Sequence, residues 1–139
     1  MKILILCTGN SCRSQMAQGF LQSFNSEIEV HSAGTFPAAK VNPGAIKAMS
    51  EVGIDISKNS PKSVDEYVND QWDYVITVCD DAKEICPVFP GKVKHRFHIG
   101  FVDPSDATGS EDFIMSEFRR VRDEIEKAFY SFYSNLKMK

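Results

Sequence analysis

The fold of this chain is decided by Cys7-Thr8-Gly9-Asn10-Ser11-Cys12-Arg13-Ser14 and by what stands on either side of it. The preceding segment, Lys2 to Leu6, is short and continuously apolar after its first residue, which is typical of a β-strand covered on both faces. The following segment, Ser14 to Phe24, has apolar residues at helical spacing. A thiol, a five-residue loop and an arginine therefore stand between a buried strand and the start of a helix.

The rest of the chain alternates between strand and helix patterns. Strands are predicted over Glu27 to His31, over Tyr74 to Val78 with Cys79 after it, and inside the sheet over Phe97 to Ile99. Helices are predicted from Asn42-Pro43 to about Gly53, over Ser63 to Asn69 and over Ser110 to Leu136, with Asn42 as the cap of the first. We predict a single α/β domain over residues 1–139, with a parallel sheet and helices on both faces.

The composition limits the function. A chain of 139 residues is about one domain, and 42% hydrophobic with 25% charged residues is close to the globular average. The formal net charge of -3 creates no positive electrostatic field that would attract a polyphosphate backbone, so nucleic acid is not expected as a partner. No segment matches a signal peptide or a membrane span, so we expect a cytoplasmic protein with no membrane contact. Four cysteines in a reducing compartment favour catalytic, redox or metal-binding roles.

The loop has the properties of an oxyanion cradle. Its backbone N–H groups and the positive end of the helix dipole converge on one point, and the residues that supply them are Thr8, Gly9, Asn10, Ser11 and Cys12. Arg13 can add two parallel N–H bonds to the same oxyanion. These fields also stabilise a thiolate, so the pKa of Cys7 is expected well below the free value of about 8.5. Ser14 is expected to donate to the Cys7 sulfur, and Asn10 to hold the loop, in a left-handed turn if one is needed.

The spacing C-x5-R alone would also suit a buried cysteine followed by an ordinary turn, but the strand before it and the helix after it favour the cradle. With these residues, the chain resembles the low-molecular-weight protein tyrosine phosphatase fold and, within it, the thioredoxin-coupled arsenate reductases. Other segments resemble that family in the same order: Ser32-Ala33-Gly34, Val41-Asn42-Pro43, Ile54 to Ser57, Asp103-Pro104 and Phe118 to Asp123. The resemblance implies a four-stranded parallel sheet flanked by helices.

The resemblance also implies a reaction. Cys7 attacks arsenate, Cys79 then attacks the Cys7 sulfur and releases arsenite, and Cys86 attacks Cys79 to leave a disulfide for thioredoxin to reduce. Asp103 resembles the general acid of the fold, although Asp-Pro is also a common turn. No cofactor is implied, because the electrons come from thioredoxin. We expect a monomer with arsenate as its small oxyanion substrate.

The spacing of Cys79 and Cys86 has a mechanical consequence. If the segment between them were helical, the two residues would lie roughly 10.5 Å apart along the axis. A disulfide needs Cα atoms within about 4.4 to 6.8 Å, so we predict that the segment from Asp80 to Pro87 unwinds or loops out when the disulfide forms. Taken singly, Cys79 could close a strand and Cys86 could be an inert surface thiol. Cys12 is interpreted as a structural residue facing the core.

Two other functions stay open. A phosphatase acting on phosphotyrosine would need only Cys7, Arg13 and Asp103, but the stretch Ser105 to Ser110 lacks the aromatic pair of those enzymes. A thiol protein that binds arsenite or a metal without turnover would use Cys7, Cys79 and Cys86.

No metal site is predicted. The three histidines lie on separate segments without ligand spacing. Some reductases of the family hold potassium near the cradle through an acidic residue of the first helix, but here Gln18 stands at that position and no carboxylate stands at Lys62. The basic stretch from Lys92 to Arg96 is interpreted as a solvated strand edge.

Overall fold

Four parallel strands form the sheet. The computed structural model describes residues 1–79 and 92–137 and contains β1 (Lys2–Cys7), β2 (Glu29–Gly34), β3 (Gln71–Thr77) and β4 (Lys92–His98). Their order in the sheet is β2-β1-β3-β4, and every pairing is parallel. The carboxyl ends of the strands therefore share one edge, where open sheets of this kind bind ligands. The predicted fold class is confirmed.

Three α-helices and two short 3-10 turns connect the strands. The helices are α1 (Arg13–Phe24), α2 (Pro43–Ser50) and α3 (Glu111–Lys137), and the 3-10 turns span Val64–Glu66 and Pro104–Asp106. As predicted, Asn42 caps α2, since its side chain accepts a bond of 2.8 Å from the Gly44 N–H. Within the described ranges, no helix is long and apolar enough to cross a membrane.

The two faces of the sheet are covered differently. The three α-helices bury one face, where Ile3 and Ile5 join a single apolar cluster with residues of α1, α2 and α3. On the other face Leu4 and Leu6 pack in a second cluster with Trp72, against the 3-10 turn at Val64–Glu66 and the residues that follow it. Because β1 packs against apolar residues on both faces, nearly all of its side chains have to be apolar, and this is the pattern from which the strand was predicted.

Some predicted elements differ in extent or position. The helix predicted over Ser63 to Asn69 is a single 3-10 turn, with Ser63 accepting from the Asp65 N–H as its cap. The strand predicted over Phe97 to Ile99 is longer and begins at Lys92, and the prediction that it lies inside the sheet is wrong. It forms an edge, with Phe97 45% exposed. The basic stretch is a solvated strand edge, as predicted, and such charges discourage pairing with another chain.

Candidate active site

The cradle loop lies between the end of β1 and the start of α1, with its carbonyl groups turned away from its concave side. Carbonyl oxygens of Thr8, Gly9 and Ser11 accept bonds of 2.8 to 2.9 Å from backbone N–H groups of residues 36–42. In the part of the chain that the structure describes, the N–H groups of residues 9–12 donate to no protein acceptor. Buried N–H groups rarely lack a partner, so this set is suited to a bound anion.

Asn10 holds the loop in shape. Its φ of 52° is the one positive value at a non-glycine residue in the described ranges, so the loop uses the left-handed turn that the sequence analysis allowed at this position. Its Nδ2 donates to Ser14 Oγ at 2.8 Å and to Ser32 Oγ at 2.9 Å. Its Oδ1 accepts from the Lys62 backbone N–H at 2.8 Å and from Gln15 Nε2 at 3.2 Å. Four contacts to a fully buried amide offset the cost of the left-handed backbone.

Gln15, Ser32 and the backbone of Lys62 are parts of the site that the sequence analysis missed. Gln15 is 1% exposed and links the Asn10 carbonyl, at 3.1 Å, to the Ser60 carbonyl, at 3.3 Å. The next residues on the same face of α1 are Gln18 and Gly19, so no apolar pattern could have marked Gln15 as buried. The Lys62 contact uses a backbone atom, so no side-chain pattern could have indicated it.

Arg13 connects the loop to the segment that carries the predicted acid. Its side chain is 3% exposed, and its guanidinium donates to the Phe101 carbonyl at 3.1 Å and to Asp103 Oδ2 at 3.4 Å. A guanidinium has five N–H donors, so holding this segment uses only part of its capacity. Asp103 Oδ1 accepts from the N–H and the hydroxyl of Ser105, at 2.9 and 2.7 Å. The structure therefore brings Asp103 to the cradle, 90 residues away in sequence from Arg13.

Cys7 and Cys12 are both buried and outside any disulfide, but only Cys7 lies at the end of β1. Burial, reinforced by the negative charge of Asp103, raises the pKa of Cys12 well above its ordinary value, so this thiol stays protonated. Its place in the apolar cluster agrees with the structural role predicted for it. Ser14 Oγ accepts from Asn10, which leaves the hydroxyl proton of Ser14 to be donated elsewhere.

Gly34 allows β2 to approach the loop. It pairs with Cys7 in the sheet, and a Cβ atom at this position would lie 2.3 Å from the Thr8 carbonyl oxygen and 3.1 Å from the Asn10 nitrogen. Both neighbours are backbone atoms, so neither can move without changing the loop. A glycine is required here for the loop to pack against β2.

Cys79 follows β3 at the same edge of the sheet. It is fully buried and disulfide-bonded, whereas Cys7 and Cys12 are not in disulfides. Gly100 lies against its backbone, since a Cβ there would be 3.0 Å from the Cys79 carbonyl oxygen and 2.9 Å from His98 Nε2. Cys86 and the segment from Asp80 to Pro87 that is predicted to unwind lie outside the described residues.

The segment that bonds the cradle loop contains an aromatic residue that the sequence analysis did not single out. Phe36 is 81% exposed, and its backbone N–H donates to the Thr8 carbonyl at 2.9 Å. Val102, next to Asp103, is also exposed. Each of two segments that contact the loop or Arg13 therefore carries an exposed apolar residue.

Three comparisons with known proteins agree with this geometry. The arsenate reductase of Halalkalibacterium halodurans is 47% identical over 131 residues, which cover 94% of this chain and 93% of that protein. The arsenate reductase of Bacillus subtilis is 49% identical over 124 residues, which cover 88% of each chain. The solved structure of an arsenate reductase in its oxidized state superimposes with a TM-score of 0.80 at 28% identity, and the match covers 96% of this chain and 97% of that one.

The model of one protein family matches residues 2–139, which is nearly the whole sequence. Its description, low molecular weight phosphotyrosine protein phosphatase, agrees with the resemblance drawn from the cradle motif, with the four-stranded parallel sheet and with the position of the loop. The chain belongs to the low molecular weight phosphotyrosine protein phosphatase family.

Proposed function

We propose that this chain reduces arsenate to arsenite with Cys7 as the nucleophile. The observation that supports it most directly is the cradle itself. After Cys7 at the end of β1 come the N–H groups of residues 9–12, which donate to no protein acceptor within residues 1–79 and 92–137, and then the buried Arg13. Such a site binds a tetrahedral oxyanion next to a thiol. The similarity to arsenate reductases over about nine-tenths of the chain supports arsenate as that oxyanion.

In the first step, the Cys7 sulfur attacks arsenic and forms an S–As bond. One arsenate oxygen departs and takes a proton from Asp103, which acts as general acid. The loop N–H groups and Arg13 bind the remaining oxygens and stabilise the charge that develops on them. The Ser14 hydroxyl donates a hydrogen bond to the Cys7 sulfur and keeps its proton.

In the second step, the Cys79 thiolate attacks the Cys7 sulfur. A disulfide forms, the S–As bond breaks, and its electron pair stays on arsenic, so As(V) becomes As(III) and arsenite leaves. Cys86 then attacks the Cys79 sulfur, which releases Cys7 as a thiolate and leaves a Cys79–Cys86 disulfide. A disulfide at Cys79 supports a redox role for this cysteine.

The cycle closes when an external dithiol reduces the second disulfide. We propose thioredoxin as that partner, the cytoplasm as the compartment and a monomer as the active form. The two electrons come from thiols, so the reaction as proposed uses no bound cofactor and no metal.

A thiol count during a single turnover tests the proposal. Fully reduced protein is mixed with one equivalent of arsenate, and arsenite and free thiols are measured in the same sample. We expect two thiols to be lost for each arsenite released. Cys79→Ser should abolish arsenite release, and Cys86→Ser should stop at the first disulfide. Cys12→Ser is the matched control and should behave as the unchanged chain.

A phosphatase of the same family is the second candidate. The observation that favours it is the exposed Phe36 on the segment that bonds the Thr8 carbonyl, because an exposed aromatic ring is available to an aryl phosphate. If no thiols are lost with arsenate while an aryl phosphate is hydrolysed through Cys7, the reductase proposal is wrong. Stoichiometric arsenite binding without turnover would instead indicate a thiol-based sensor.

A further inference from the structure

A second polar pocket lies behind the cradle loop, on the far side of Asn10. Its volume is about 230 Å³, and it is bounded by α1, β2 and residues 58–67. Gln15 and Ser32, which both contact Asn10, form the wall that it shares with the loop. The proposed reaction does not use this pocket.

The charge around the pocket is positive. Its ionisable lining consists of Lys58, Lys62, His31 and Tyr67, without a carboxylate. In the described ranges, neither lysine ammonium forms an ion pair within 4 Å. His31 differs, since its Nε2 lies 2.9 Å from Glu29.

Carboxylates near the pocket are engaged elsewhere. Glu66 accepts from the Ser63 N–H, and Asp70 binds Lys2 at 3.3 Å. Asp55 is within electrostatic range of Lys58, but it accepts the Ser57 N–H at 2.8 Å. The positive charge of the two lysines is therefore not neutralised by a direct contact with these groups.

Hydrogen-bond donors complete the pocket. Asn59 has an amide with two N–H groups, one of which is used by Gln15 Oε1 at 3.2 Å. Burial raises the pKa of Tyr67, so its hydroxyl keeps its proton at neutral pH and can donate. Two cations and neutral donors around a small concave space are what a compact oxyanion requires.

We propose that this pocket is a second oxyanion site, which takes a small tetrahedral anion such as inorganic phosphate between Lys58 and Lys62. The site is distinct from the cradle and does not depend on the proposed function. It is connected to the cradle, because the Lys62 N–H donates to Asn10 Oδ1 and Asn59 reaches Asn10 through Gln15. An anion that holds residues 58–62 in place therefore strengthens the support of the left-handed Asn10.

Equilibrium dialysis of the reduced full-length chain against labelled inorganic phosphate tests the proposal. We expect two phosphate ions per chain, one in the cradle and one in the pocket. The double variant Lys58→Gln/Lys62→Gln should bind one. The control Lys40→Gln/Lys47→Gln removes the same charge from exposed positions outside the pocket and should still bind two.

A second measurement tests whether an anion in the pocket stabilises the backbone of residue 62, which bonds Asn10 of the cradle loop. Hydrogen exchange at the backbone N–H of residue 62 should slow with phosphate more in the unchanged chain than in the Lys58→Gln/Lys62→Gln variant, although the cradle is filled in both. Equal protection in the two proteins would overturn the coupling.

The outcomes separate this proposal from the proposed function. The pocket is not an anion site if the unchanged chain binds a single phosphate and Arg13→Lys loses it. The same conclusion follows if the Lys58→Gln/Lys62→Gln variant still binds two phosphates. Arg13→Lys in an otherwise unchanged chain should lose only the cradle phosphate. Failure of arsenate reduction with the pocket phosphate retained would overturn the proposed function and leave this site in place.

Discussion

The cradle loop and the turn that carries Asp103 lie side by side but are held in opposite ways. The loop is anchored from several directions: Asn10 is fully buried with four side-chain contacts, and three loop carbonyls are bound by residues 36–42. Asp103 is 23% exposed, and its carboxylate contacts Arg13 and its own neighbour Ser105. The difference shows that the loop is fixed from the core, whereas Asp103 stands at a partly exposed position that water can reach. Under the proposed function, the anion is therefore bound at the rigid part of the site and the proton is supplied from its exposed part.

The largest effect is expected from Arg13→Lys. Lysine keeps the charge but cannot contact the Phe101 carbonyl and an oxyanion in one plane, so both anion binding and the position of Asp103 are affected. Arsenate reduction should fall about 10²- to 10³-fold in kcat/KM, the cost of losing an oxyanion donor. Steady-state kinetics measures the fall, and a loss below about fivefold would mean that the loop N–H groups suffice.

A smaller loss is expected from Asp103→Asn. Asparagine keeps the size of the side chain and its contact with Ser105, but it cannot deliver a proton. We expect kcat to fall about 100-fold, at the low end of general acid catalysis, because water at this partly exposed position replaces part of the proton supply. Phosphate affinity of the cradle should change little. If phosphate affinity also fell about 100-fold, the turn that carries Asp103 and the cradle loop would act as one unit and would not be held independently.

Asn10→Gly separates the backbone of the loop from its hydrogen bonds. Glycine adopts a φ of 52° without strain but removes the contacts to Ser14, Ser32 and Lys62. Activity should fall about tenfold, and Asn10→Ala should lose more, because alanine adds the cost of a left-handed backbone of about 1 kcal/mol or more. Steady-state kinetics and thermal unfolding of Asn10→Gly and Asn10→Ala measure the difference in activity and in stability between the two variants. Equal activity and equal stability would mean that only the side-chain hydrogen bonds of Asn10 hold the loop in shape.

The smallest effect is expected at Glu51, which joins α2 to α3 on the surface. It accepts from Arg119 and Arg122 at 2.9 Å, and these contacts, with Arg119 the stronger cause, lower its pKa from 4.5 to about 2. A lowered pKa in the folded state stabilises the protein above the unfolded pKa, and this stability is lost as pH falls through the folded pKa. Glu51→Gln should therefore unfold at a lower temperature than the unchanged chain at pH 7, and the gap should close between pH 4.5 and 2.

Glu117→Gln is the control for that measurement, because Glu117 pairs with Arg120 within a single helix. Its effect should be smaller, as expected for an exposed pair one turn apart. Arsenate reduction should be unchanged in both variants. A change in activity at Glu51 would show that the contact between α2 and α3 reaches the cradle.

Those parts of the fold that are contiguous in sequence were predictable. The strand, loop and helix from Lys2 to Phe24 follow from local apolar patterns, and the left-handed Asn10 follows from the tolerance of asparagine for that conformation. The place of β4 in the sheet was not predictable, because strand order depends on which strands pair and not on the pattern of any one of them. The strand over Phe97 to Ile99 was predicted inside the sheet, but β4 lies at its edge and Phe97 is 45% exposed there.

The sequence by itself determined a thiol at the end of a buried strand, followed by an arginine at the start of a helix, since both depend on neighbouring residues. Only the tertiary structure decided what surrounds them. The contact between Asn10 and the Lys62 backbone spans 52 residues, and the one between Arg13 and Asp103 spans 90. Each forms because parallel strands bring their carboxyl ends to one edge of the sheet, so that segments far apart in the chain meet around the loop.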